Sequence, residues 1–78
     1  MKKLTQAVFD LPECPVWADS AVVDIEGDVW VFRCTKDELE ANEDKGWHET
    51  EGFTKYAIIG KGYDTTNWQQ SAIDRGEE

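Results

Sequence analysis

Residues 20–34 read Ser20-Ala21-Val22-Val23-Asp24-Ile25-Glu26-Gly27-Asp28-Val29-Trp30-Val31-Phe32-Arg33-Cys34. Two runs rich in β-branched and aromatic residues flank an acidic-Gly pair, which is the pattern of a β-hairpin. With Glu26-Gly27 as a two-residue loop, Val23 faces Trp30, Val22 faces Val31 and Ala21 faces Phe32. One face then carries Ala21, Val23, Ile25, Trp30, Phe32 and Cys34 and forms the core. The other carries Val22, Asp24, Val29, Val31 and Arg33. Being half apolar, it needs a cover, which the segment around Leu4, Val8, Phe9 and Leu11 or a second copy of the chain supplies. The intrachain cover is favoured, and with it a monomer over a homodimer.

Downstream, Thr35-Lys36-Asp37-Glu38 has the spacing of a capping box and predicts a short helix from Lys36 to Asn42 with Leu39 as its one large apolar residue. Trp47-His48-Glu49-Thr50 predicts a third strand, Glu51-Gly52 a second turn, and Phe53-Thr54-Lys55-Tyr56-Ala57-Ile58-Ile59 a fourth strand ending at Gly60. Thr66 and Gln69 repeat the capping spacing, and Trp68, Ala72 and Ile73 share a helical face, predicting a C-terminal helix from Asn67 to Arg75. The expected fold class is α+β: an antiparallel three- or four-stranded sheet with the short C-terminal helix packed on one face. At 78 residues this is one domain spanning 1–78, with 1–6 and 76–78 expected to fray.

The chain carries 17 acidic and 8 basic side chains, a net charge of −9, and four tryptophans. Residues 35–52 hold seven of the acidic and two of the basic groups, so more than half of the net charge lies there. That field opposes direct contact with nucleic acid or an anionic membrane. No apolar run exceeds four residues, too short to span a bilayer, and the reading is a soluble, cytoplasmic protein. Cys14 and Cys34 are expected as free thiols, since a disulfide scaffold carries more cysteines.

Gly60-Lys61-Gly62-Tyr63-Asp64 invites a phosphate-loop reading. The third glycine of the dinucleotide pattern is replaced by Thr65, no Lys-Ser/Thr pair follows, and Asp64 repels an anion. The glycines are read instead as the turn from the last strand into the helix. Gly60, Gly62, Tyr63, Asp64, Asn67, Trp68 and Gln69 form a structural motif, with Trp30 and Trp68 in the core. His48, the only histidine, pairs by sequence with neither cysteine, and no Cys-x-x-Cys or EF-hand spacing is present, so no metal or cofactor is expected. The chain is not read as an enzyme.

The stretch from Gly60 to Arg75 resembles the ending of a recurring family of small tailed-phage and prophage proteins. Those proteins similarly carry a hairpin matched here by Trp17, Ala21 to Asp24, Gly27 and Trp30. The resemblance runs from Ala7 onward, is specific over Gly60–Arg75 and loose across Thr35–Gly52. It implies a phage or prophage origin and an accessory role in the host cytoplasm, with no reaction attached.

Where the chain is least family-like, it is most acidic. Asp37, Glu38, Glu40, Glu43, Asp44 and Glu49, with Trp47 as an aromatic anchor, are the candidate partner-binding residues. The expected partner is a host protein with a basic surface. Nucleic-acid mimicry, in which carboxylates stand in for phosphates in a DNA- or RNA-binding groove, is one version of that reading. The alternatives are a solvated acidic face and a structural or homo-oligomeric accessory protein without catalytic activity.

Overall fold

The computed structural model describes residues 2–44, 46–50 and 55–76. The central hairpin forms from β1 (Ser20–Val23) and β2 (Val29–Phe32), paired antiparallel. Its register is one residue away from the expected one: Val23 faces Val29, Val22 faces Trp30, and Ala21 faces Val31. The loop is Ile25-Glu26-Gly27. The Gly27 amide donates to the Asp24 carbonyl, and the Asp24 carboxylate accepts from the Glu26 and Asp28 amides. A two-residue loop of the favoured hairpin type needs positive φ at both positions, which Glu26 resists. The three-residue loop needs it only at its last position, where Gly27 sits at +84°.

Because side chains alternate, that slip moves every β2 residue to the opposite face. Ala21 and Val23 share a face with Val29 and Val31. Ser20 and Val22 share the other with Trp30 and Phe32. Both faces are buried, which explains why the two strands are apolar almost without interruption. Ile25, expected in the core, is exposed in the loop, and Trp30 is only half-buried.

Four strands make the main sheet, in the order β5 (Tyr56–Gly60), β2, β1 and β6 (Ile73–Asp74). A separate two-stranded hairpin pairs β3 (Leu39–Asn42) with β4 (Gly46–Glu49). The first core holds Val8, Phe9, Ala18, Ala21, Val23, Val29, Val31 and Tyr63, and Leu4 and Leu11 pack against it. The N-terminal segment, with a 3-10 turn at Gln6–Asp10, thus covers the Val29–Val31 face from within the chain. On the opposite face Val22, Phe32 and Cys34 form the second core, against which Trp30, Leu39, Trp47 and Ala72 pack.

The architecture is therefore one four-stranded antiparallel sheet, covered on one face by the N-terminal segment and on the other by the β3–β4 hairpin, and no α-helix occurs among the described residues. The expected helix from Lys36 to Asn42 is a 3-10 turn at Lys36–Glu38 followed by β3, and Thr35 makes no side-chain cap. Trp47–Glu49 is a strand, as expected, but it pairs with β3 rather than joining the main sheet. The Glu51-Gly52 turn and the start of the fourth strand at Phe53 lie outside the described residues. The C-terminal helix is also absent: Trp68–Gln70 is a 3-10 turn, and Ile73–Asp74 pairs with Ser20 and Ala21. Trp68 is half-buried and belongs to neither core.

Tertiary bonds replace helical ones in this segment. The Ser71 hydroxyl accepts from the Val23 amide at 2.9 Å and lies 3.2 Å from the Val23 carbonyl, where β6 would need to be longer. The Asp74 carboxylate accepts from the Lys36 amide at 2.6 Å. Residues 2–6, expected to fray, are also tied down. Lys2 bridges Tyr63, and the Gln6 side chain donates to the Asp74 carbonyl while accepting from the Gly76 amide.

Candidate functional site

The acidic hairpin is built by alternation. Leu39 and Ala41 are half-buried on its inner face, opposite Glu49 and Trp47, while Glu40 and Asn42 are exposed. Asp37 and Glu38 project from the preceding turn, and Glu43 and Asp44 occupy the hairpin turn, where the Asn42 side chain accepts from the Asp44 amide at 2.8 Å. Five of the expected partner-binding groups (Asp37, Glu38, Glu40, Glu43, Asp44) are thus exposed. The other two are not. The Trp47 ring packs on the second core and its indole N–H donates to the Val23 carbonyl at 3.0 Å. Glu49 is half-buried on the inner face, where its carboxylate takes a hydrogen bond from the Cys34 thiol.

Burial and that carboxylate push the Cys34 thiol up to about 12, so it stays protonated near neutrality. His48 is adjacent in sequence to Glu49, but alternation places it outside, with its Nε2 3.8 Å from Glu40. The hairpin therefore separates the histidine from Cys34, and no thiolate–imidazole pair forms between them. Cys14 is likewise a free thiol, raised by burial.

The Gly60–Gln69 motif is consumed by the fold. A Cβ at Gly60 would lie 2.9 Å from the Tyr63 ring, and Gly62 sits at φ +74°. Two amides of this turn are already donated: Tyr63 to the Gly27 carbonyl at 3.1 Å and Asp64 to the Lys2 carbonyl at 2.6 Å. The Thr66 amide holds Asp64 below the usual carboxylate range. Asn67 takes a left-handed conformation, φ +58°, which asparagine tolerates better than most residues. It starts the turn that carries Trp68 and the half-buried Gln69. Beside this turn an open groove of about 370 Å³ is lined by Lys3, Leu4, Asp64, Asn67, Gln70 and Ser71, among others.

Two further clusters were not singled out by sequence. Ligand oxygens of Asp24, Glu26 and Asp28 lie within 4.8 Å of one another at the central hairpin loop. Asp24, however, spends one oxygen on two loop amides and the other on the Trp30 indole N–H at 2.8 Å, which is the chemistry of a loop organiser. Next to it, Trp30, Tyr56 and Ile58 lie side by side across β2 and β5, on the face that also carries the acidic hairpin. Tyr56 is 42% and Ile58 48% exposed, and the Trp30 and Tyr56 ring centroids are 5.1 Å apart. The signal for this strip was an apolar Tyr56-Ala57-Ile58-Ile59 run at a strand whose second face has too little chain to cover it. No family model, curated protein or solved structure matches the chain. No helix among the described residues is long and apolar enough to cross a membrane.

Proposed function

We propose that this chain is a non-enzymatic binding protein whose acidic hairpin docks on the basic surface of a host protein, as an accessory of phage or prophage origin. The observation that carries the reading is the exposure of Asp37, Glu38, Glu40, Glu43 and Asp44 on a hairpin fastened to the sheet by Leu39 and Trp47. The charges are held out by an anchored element, as an interface rim requires. The phage assignment rests on the resemblance over residues 60–75. A partner that itself binds nucleic acid suits the carboxylate array best, since its groove is already built for closely spaced negative charge.

The test is capture of a basic host protein by wild type and by the Glu40→Gln/Glu43→Gln/Asp44→Asn variant across a salt series. Long-range attraction weakens as the Debye length falls from about 10 Å at 0.1 M to about 3 Å at 1 M. The neutralised variant is expected to capture less at low salt and to lose most of the salt dependence. Equal capture at every salt concentration would leave the hairpin as a solubilising face. The second reading, a self-associating structural accessory, is favoured by the edge position of β5 with Tyr56 and Ile58 exposed. Sedimentation at micromolar concentration separates the two.

A further inference from the structure

Trp30, Tyr56 and Ile58 lie across β2 and β5 on the sheet face against which the acidic hairpin packs. Trp30 packs on the same Val22–Phe32–Cys34 core as Leu39 and Trp47, so the strip is continuous with the footing of the hairpin. On its other flank lies the Asp24–Glu26–Asp28 loop, with Asp24 at the edge of the Trp30 ring. The aromatic strip is thereby bordered on its loop side by carboxylates, of which Glu26 is exposed, and it shares a core with the base of the acidic hairpin.

That surround selects among partners. A large apolar partner gains nothing from the carboxylates. A lysine-rich one satisfies them but uses the rings poorly, because its ammonium is compact and strongly hydrated. A guanidinium does both: it is planar, weakly hydrated, stacks on aromatic faces and donates in its plane to carboxylates.

We propose that the Trp30–Tyr56–Ile58 strip seats an arginine side chain of the basic partner and is what distinguishes an arginine-bearing segment from one that is merely cationic. This rests on the reading that the partner is basic. The hairpin supplies attraction and the strip supplies selectivity.

The test is a fluorescence titration, through the protein's tryptophans, with blocked hepta-arginine and hepta-lysine peptides at about 0.15 M salt. Wild type is expected to bind the arginine peptide about 3- to 10-fold more tightly than the lysine peptide. Tyr56→Ala should remove most of that preference while leaving lysine binding unchanged, and Tyr56→Phe should restore it. The Glu40→Gln/Glu43→Gln/Asp44→Asn variant should weaken both peptides alike and keep the ratio. Equal affinity of wild type for both peptides overturns the strip and leaves the charge reading standing, whereas failure of both peptides to bind overturns both. A preference that survives Tyr56→Ala overturns the assignment to this strip, as does self-association of wild type that Tyr56→Ala abolishes. Should Tyr56→Ala fail to fold, the wild-type ratio together with Ile58→Ser decides, with loss of the preference expected.

Discussion

At Gly27 the backbone sits at φ +84°, and a Cβ built there would lie 2.9 Å from the Tyr63 carbonyl oxygen. One residue thus does two jobs: it closes a three-residue loop, and it lets the Gly60–Asp64 turn press against that loop. The sequence marks the turn but not its length, because Glu26-Gly27 and Ile25-Glu26-Gly27 differ only by Ile25, a β-branched residue that reads equally well as the end of the strand. Cys34 makes a residue-scale prediction with a definite sign. Its thiol, buried against Glu49 and raised to about 12, holds its proton more tightly folded than unfolded. The stability this contributes is complete below about pH 9 and is lost as pH climbs towards 12. Urea midpoints between pH 8 and 11 should therefore fall more steeply for wild type than for Cys34→Ala, with the difference approaching about 1.4 kcal/mol per pH unit above the unfolded value. Parallel slopes would show that Cys34 is not shielded as its surroundings suggest.

Elements this short are made by their partners, and that limits what periodicity can reveal. Trp68 and Ala72 are four apart, as on a helix, yet β6 is two residues long and has no period to read. The bonds of this segment, made by Ser71, Asp74 and Arg75, run to Val23, Lys36, Gln6 and Phe9, all remote in sequence. The hairpin strands fared differently. Leu39-Glu40-Ala41-Asn42 does alternate inward and outward, but acidic residues are poor strand formers and the capping spacing at Thr35 outweighed four residues of alternation. The exposed carboxylates were legible from composition; the inward turn of Trp47 and Glu49 was not, since it follows from which face of the hairpin meets the sheet. Arg75 tests how far long-range bonds carry this end of the chain. Its guanidinium donates to the carbonyls of Val16, Ala18 and Phe9 at 2.9–3.0 Å and lies over the Phe9 ring. A lysine has one nitrogen and cannot serve three carbonyls in that plane. Arg75→Lys is therefore expected to cost about 1.5–3 kcal/mol in urea unfolding despite keeping the charge. A midpoint within experimental error of wild type would mean that β6 and Ser71 hold the segment alone.

Across the whole molecule, a net charge of −9 is confined to a body of 28 × 25 × 21 Å. At 0.01 M salt the Debye length is about 30 Å, so every carboxylate repels every other; at 0.15 M it is about 8 Å and only neighbours interact. Unfolding spreads the same charge over a larger volume, and repulsion therefore works against the compact state. The thermal midpoint should rise on going from 0.01 to 0.15 M salt, by about 4–8 °C for each kcal/mol of repulsion relieved in a domain this size. The Glu40→Gln/Glu43→Gln/Asp44→Asn variant removes three of these charges from the hairpin, where they are densest. Its midpoint should be higher at low salt and should climb less. Ligand linkage then joins stability to function: a basic partner that neutralises the hairpin in the folded state stabilises it by mass action as well as by relief of repulsion. An oligocation should consequently raise the wild-type midpoint most at 0.01 M and little at 1 M. A midpoint indifferent to salt and oligocation alike would mean that the hairpin charges are too well solvated to act at a distance, and the electrostatic basis of partner binding would fall with it.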